Sequence, residues 1–265
     1  NRLNVVKSFK IKWQHFTEWG DSQWEVYQTE DERDLITKIK YATKKLGDIA
    51  WVRYGIRTGN NKKYIKETPT DASNHKVVAG SDIGRYIFNW NKKYLIITKG
   101  ISDIYFSDRT KKEKIVIQYV RTNSIDPNSR WLEATIIPKD YLGLNSTTMV
   151  FEKGWEFPLK YLLGVINSKM MNRYYKLIYT DVNVKPAYLS ELPIRQPQEK
   201  SKLKVVELVN KMMELNHKLV GNKNQSQITE LKKRVKITED ELDDEIYIIY
   251  EINQKEKEII ENNLR

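Results

Sequence analysis

The chain has no cysteine among its 265 residues. That excludes a disulfide framework and any cysteine-ligated zinc site, and it permits a reducing compartment. Histidine is nearly as scarce. His15, His75 and His217 are scattered without metal-ligand spacing, so they read as ordinary surface or core histidines and no metal is expected. No stretch approaches the roughly 18 consecutive apolar residues of a membrane span, and no apolar signal core opens the chain, so no membrane partner is expected. The first residue is Asn1 rather than Met, which suggests a fragment of a longer polypeptide.

Catalytic motifs are missing too. There is no Cys/His pair, no P-loop, no Gly-x-Ser-x-Gly elbow and no His-Glu-x-x-His. A metal-dependent nuclease would need an acidic residue upstream of an Asp/Glu-x-Lys pair on adjacent strands. Glu230-Leu-Lys232 alone has that spacing, and it falls in a helical stretch where such ion pairs are commonplace. Methyl transfer to a base would need a cofactor pocket and an Asn-Pro-Pro-aromatic loop, and neither is found. The expectation is a chain that is not itself catalytic and holds no cofactor.

Positive charge is what the sequence does have. The totals are 46 Lys+Arg against 35 Asp+Glu, a formal net charge of +11. Residues 196–265 contribute 13 cations and 14 acids, leaving 33 against 21 in residues 1–195. Residues 53–121 alone carry 15 cations against 6 acids, a +9 excess. A chain charged in this way is suited to a polyanionic partner.

Periodicity divides the chain. Residues 1–28 hold Trp13, Trp19, Trp24 and Tyr27 in short alternating runs that read as strands, with the tryptophans building core rather than a binding platform. Thr29 and Glu32 form a capping box, and Leu35, Ile39, Ala42 and Leu46 follow at helical spacing, predicting a helix over 30–45 that ends before Gly47. From 46 to 137, β-branched and aromatic runs alternate with Gly, Asn, Asp and Pro clusters, the texture of a multi-stranded sheet with long loops. Pro158 opens a helix predicted over 158–177, along which Leu159, Leu162, Leu163, Ile166, Met170 and Tyr174 recur. The segment LPIRQPQ at 192–198 marks a boundary.

Beyond it, Val205, Leu208, Met212, Leu215 and Leu219 step by three and four, and Val206, Val209, Met213 and Val220 widen the apolar face. Residues 221–226 break the helix, and Ile228, Leu231 and Val235 continue on a second. Thr238 with Glu241 and Asn253 with Glu256 signal two further helix starts. We expect an α+β domain over 1–195, with a mixed or antiparallel sheet and flanking helices, and a helical hairpin with a capping helix over 196–265. That tail reads as a packing and docking element with no net charge for DNA.

The segments KLGDIAWVRYGIRTGNNKKYI (45–65), KVVAGSDIGRY (76–86), KIVIQY (114–119), LKYLLGVINSKMMNRYYK (159–176) and LSELPI (189–194) resemble, in order and spacing, the TaqI-like C-terminal specificity domain. That family is the target recognition domain of type IIG restriction-modification enzymes and related adenine-specific DNA methyltransferases. The tail ELDDEIYIIYEINQKEKEIIEN (241–262) is similar to the Asp-x-x-Val-Tyr-x-x-Tyr-x-Leu helix that ends many of these polypeptides, with Ile246 in place of Val and Glu251-Ile252 where Gly-Leu is usual. The resemblance runs from about residue 30 to the end and does not extend to residues 1–28. The resemblance implies that this piece recognises double-stranded DNA. Upstream domains of the same polypeptide would carry the endonuclease, with Mg²⁺, and the S-adenosylmethionine-dependent adenine methyltransferase, in the cytoplasm of a bacterium or archaeon.

In such a domain, loop cations neutralise phosphates without regard to sequence, and Arg, Asn, Gln or Asp read base edges. The loop 55–65 offers Arg57, Asn60 and Asn61 to bases and Thr58, Lys62 and Lys63 to phosphates. Its alternative is a plain turn in which Gly55 and Gly59 supply positive φ and Thr58 and Asn60 cap locally. In the loop 80–86, Asp82 and Arg85 are base candidates and Ser81 a phosphate contact, unless Asp82 simply pairs with Arg85. A third set offers Arg109, Lys111, Lys112 and Arg121 to phosphates and Asn123 and Arg130, beside Trp131, to bases. After the 158–177 helix, Asp181 and Asn183 are base candidates and Lys185 a phosphate contact, with Thr180 beside them. Two of these four loops are expected to reach base edges. Rival readings are a type I specificity subunit, the recognition domain of a phage-exclusion methyltransferase, or a basic module that binds protein or RNA.

Overall fold

The computed structural model describes residues 29–70, 75–96, 112–120, 131–154, 156–179 and 181–262. The strands expected from the tryptophan-rich residues 1–28 lie outside them.

Helix α1 (Glu30–Lys40) starts where the sequence places it, with the Glu32 amide donating to Thr29 Oγ1 at 3.2 Å. The Glu32 carboxylate does not close the box. It pairs with Arg173 in the interior, where both side chains are almost fully buried. The helix also stops five residues early. Ala42 takes a φ of +53°, and β1 (Thr43–Lys45) leaves to pair antiparallel with β12 (Pro193–Arg195). A strand partner nearly 150 residues away overrides the local helical pattern.

One turn of helix, α2 (Leu46–Ile49), leads into β2 (Ala50–Tyr54) of the main sheet. That sheet is antiparallel throughout, in the order β2, β11 (Thr147–Glu152), β8 (Lys114–Gln118), β9 (Ala134–Ile137). Ile115, Ile117, Ile136 and Val150 point into the helical core, and Val116, Ile137, Met149 and Phe151 point to the opposite face against Val78 and Ile83. Both faces are therefore dry, which is why KIVIQ and ATII read as unbroken apolar runs rather than alternating ones.

The second face is covered by a smaller mixed sheet, ordered β10 (Tyr141–Gly143), β4 (His75–Val78), β7 (Lys93–Leu95), β3 (Ile65–Lys66). Its β10–β4 pair is parallel and the others antiparallel. Strand β3 follows the single turn α3 (Asn61–Tyr64), and a small hairpin of β5 (Ile83–Gly84) and β6 (Ile87–Phe88) bridges the two sheets. The architecture is α+β with mixed sheets, as expected from the sequence.

The helix expected over 158–177 is two. Ser168 interrupts it between α4 (Leu159–Asn167) and α5 (Lys169–Ile178), and its hydroxyl accepts from the Met171 amide at 3.1 Å as a new N-cap. The break puts asparagines where β9, an edge strand, needs them. Asn167 bonds both the amide and the carbonyl of Ala134 at 3.0 Å, and Asn172 Oδ1 accepts from the Leu132 amide at 2.7 Å.

After the short α6 (Pro186–Ser190), the chain closes with α7 (Glu199–Val220), α8 (Gln225–Ile249) and α9 (Gln254–Asn262). Val205, Leu208, Val209, Met212, Leu242, Ile246 and Ile260 join the same core as α4 and α5. Thr238 starts no helix. It is buried mid-α8 at a seam position between Leu231 and Leu242. The Asn253–Glu256 box does form in both directions, at 2.9 and 2.7 Å. Among the described residues no helix is long and apolar enough to cross a membrane.

Candidate nucleic-acid interface

Antiparallel register defines two ends of the main sheet. Ala50, Glu152 and Lys114 lie toward one end, and Tyr54, Thr147 and Gln118 toward the other. Three of the four sequence-derived loops gather at the second end, around the turn 144–147. The Gly55 amide donates to Thr147 O at 2.9 Å, and the Ile56 amide to Gly143 O at 2.7 Å. The Gly80 amide donates to Ser146 Oγ at 2.9 Å, and the Tyr119 amide to Ser146 O at 2.9 Å. The Val184 amide donates to Tyr119 O at 2.6 Å, which seats the loop 181–185 beside them.

The loop 55–65 combines contact groups with a rigid mount. Gly55 is required by close approach rather than by positive φ, because a Cβ there would sit 1.9 Å from Leu144 O. Gly59 does take φ of +70°, with open space around it. Asn60 Oδ1 accepts from the Lys63 amide at 3.1 Å and caps α3, and the Thr58 hydroxyl donates to Asn61 Oδ1 at 2.6 Å. These bonds fix the backbone while Arg57, Asn61, Lys62 and Lys63 remain exposed. The Arg57 guanidinium lies over the Tyr54 ring, 4.3 Å from its centroid, and Tyr54 meets Tyr119 edge-on at 5.7 Å. Burial, followed by the neighbouring Tyr54, raises the Tyr119 phenol above its ordinary pKa, while the charges of Arg57 and Lys185 oppose the shift.

Across Tyr119, Lys185 pairs with Asp181, and its Nζ lies 5.1 Å from the Tyr188 ring centroid. The hydrogen bond from Lys185 holds the Asp181 carboxyl below the usual range, with a smaller effect from the Asn183 amide at 2.9 Å. Asn183 is half-buried, and Val120 and Val182 stand exposed on either side. The result is a ridge of cations and amides over tyrosines, bordered by apolar side chains. Such a set can bond phosphate oxygens, match base edges and pack against thymine methyls.

Other sequence-derived residues fall elsewhere. Ser81 is exposed on the turn beside Ser146, but Asp82 is 1% exposed. Its carboxylate accepts from the Ala79 amide at 2.8 Å and from Asn91 Nδ2 at 2.5 Å. It pairs with neither Arg85 nor solvent, so its base-reading role is withdrawn. Arg85 turns away to Glu239 of α8. Lys112 lies at the opposite end of β8, about 20 Å from Tyr119 at strand rise, beside Lys139 and Lys160. Arg109, Lys111, Arg121, Asn123, Arg130 and Thr180 lie outside the described residues. Sequence reasoning missed Tyr54, Tyr119 and Ser146. The tyrosines end strands next to predicted loops, and that position was their only signal. Among the described residues no group of three or more His, Asp or Glu is placed to hold a metal ion.

Residues 75–194 match the model of the TaqI-like C-terminal specificity domain family. No curated protein matches the chain. Among solved structures, the chain is similar to the type IIL restriction-modification enzyme MmeI in complex with DNA. The TM-score is 0.56 at 10% identity, over 79% of this chain and 34% of that one. A type I restriction-modification system matches with a TM-score of 0.43 at 12% identity, over 84% of this chain and 51% of its own. The HsdS subunit from Thermoanaerobacter tengcongensis gives 0.39 at 10% identity, over 80% and 50%. The chain spans about a third of the length of the MmeI chain.

Proposed function

We propose that this chain, whose residues 75–194 match the TaqI-like C-terminal specificity domain, recognises a specific sequence in double-stranded DNA. The supporting observation is the convergence of the loops 55–65, 80–82 and 181–185 on the turn 144–147, with Arg57 over Tyr54, the charges of Arg57 and Lys185 both acting on Tyr119, and Asn61, Lys62 and Lys63 exposed on the same loop as Arg57. Lys62 and Lys63, exposed and unconfined by burial, serve phosphates. Arg57 and Asn61 serve base edges, with Arg57 held ready over Tyr54 so that less side-chain freedom is lost on contact.

The motif resemblance supports a parent protein of type IIG character. Endonuclease and N6-adenine methyltransferase domains elsewhere in the same polypeptide would use Mg²⁺ and S-adenosylmethionine, and this segment would choose the site. The test is selection from a random-sequence duplex pool by the full chain at moderate salt. Enrichment of one short motif supports the reading. Binding without enrichment, or no binding by either this chain or its full-length parent, contradicts it.

A further inference from the structure

We propose that the tip of the α7–α8 hairpin is a second, sequence-blind contact to the phosphate backbone of the same duplex, an inference that rests on the DNA reading above. The near-neutral total of the tail hides a strong polarity. Residues 217–236 carry six cations against one acid, Glu230, and residues 238–262 carry two cations against ten acids.

The acidic half is already occupied within the molecule. Glu256 pairs with Lys38 at 2.7 Å, Asp240 with Lys169 at 3.0 Å, and Glu239 with Arg85. In the basic half, Lys218 and Lys236 pair with Glu214 and Asp240. Among the described residues the other four cations, Lys223, Lys232, Lys233 and Arg234, form no ion pair, and all four are exposed. Lys223 and Arg234 line an open cleft of about 1030 Å³ at the hairpin tip together with Lys218, His217, Gln227 and one acid, Glu230. Cations here outnumber the nearby carboxylates Glu230 and Glu214, and such an excess favours an added anion.

Direction supplies the partner. Helix α4 runs from Glu152, whose carboxylate accepts from the Leu159 amide at 2.8 Å, to Asn167, which bonds Ala134. Ala134 pairs with Ile117 in β8, next to Gln118. So α4 ends at the loop-cluster end of the sheet. Helix α7 packs along it, with Val205 and Val209 against Gly164. The returning α8 meets the start of α4 at Tyr250, through Pro193 and Arg195 beside Tyr161, and its end at Asp243, which accepts from the Lys169 amide, so the hairpin tip lies beyond the end of α4. About ten residues of α7 therefore extend past the end of α4, roughly 15 Å at helical rise. Its apolar seam fades on the way: Leu215 is 2% exposed, Leu219 half-buried and Val220 47% exposed. The basic tip thus projects past the same end of the sheet that carries Arg57 and Lys185, on the helical side. A duplex lying across the loops runs its backbone toward that tip.

The experiment measures duplex affinity against salt for the full chain, using the random-sequence pool and its enriched motif. It compares the wild type, a Lys223→Ala/Lys232→Ala/Arg234→Ala variant, and a charge-keeping Lys223→Arg/Lys232→Arg/Arg234→Lys variant, each checked for an unchanged melting temperature. Three lost phosphate contacts make the slope of log K against log salt shallower by about 2 to 3. Binding should weaken alike on all sequences, leave the enriched motif unchanged, and recover in the charge-keeping variant. An alanine variant with wild-type slope and affinity overturns the hairpin contact alone, as would be found if the tip served an acidic protein. A changed motif overturns its sequence-blind character. A wild type with no salt-sensitive duplex binding overturns both this inference and the DNA reading.

Discussion

Asp82 shows how residue type can mislead about role. A carboxylate in a Gly-Ser-Asp-x-Gly-Arg loop suits cytosine recognition, yet Asp82 is buried and ties Ala79 to Asn91. Asp82→Ala leaves those donors unpaired, and we expect a loss of about 1–3 kcal/mol in urea unfolding with the specificity of surviving protein retained. Lys114 is the converse case, a cation counted in the basic stretch that never reaches solvent. Its ammonium donates to Tyr141 O at 2.6 Å, and burial pulls its pKa from 10.5 down to about 8. The folded chain binds fewer protons than the unfolded chain between those values, so this group's contribution to stability rises from about pH 8 to pH 10.5. Denaturation across that range should show wild type gaining about 3 kcal/mol relative to Lys114→Met. A constant difference between the two proteins would refute the assignment. Neither burial was legible in the sequence: the Lys114 partners lie more than twenty residues on, and Asp82 sits in a loop whose residue types suit a surface turn equally well.

At the scale of elements, the sequence was most informative where signals are local. The Thr29 cap, the Asn253–Glu256 box and the seam of α7 are all realised. It failed where a distant partner decides. The strand β12 captures residues 43–45 from the predicted helix, and Thr238 stays inside α8 because its seam position faces the core. The Ser168 break was legible in principle, as a serine three residues before the amide it caps. Glu32 illustrates the same limit, since its partner Arg173 lies 141 residues away. Losing one member strands a buried charge, so Glu32→Ala should cost about 3–5 kcal/mol. The double variant Glu32→Leu/Arg173→Met should recover much of that in the same melting assay. If the single and double variants melt alike, the pair contributes no coupling.

At the scale of the molecule, charge and topology act together. The +9 excess over residues 53–121 is what suggests a polyanionic partner in the sequence, but the grouping of its loops required the register of β2, β11 and β8 and the turn 144–147. The same register separates Lys112 from the group. The polarity of the tail was present in the sequence, but a single sum over residues 196–265 cancelled it. The central claim is that Arg57 reads a base while Lys62 and Lys63 hold the backbone. It is tested most directly by comparing the motifs enriched from a random duplex pool by wild type, Arg57→Ala and Lys62→Ala/Lys63→Ala. Arg57→Ala should lose preference at one position, at a cost of about 1–3 kcal/mol on the preferred sequence. The double lysine variant should keep the motif and lose about 2 from the salt slope. An Arg57→Ala protein that enriches the full wild-type motif would contradict it.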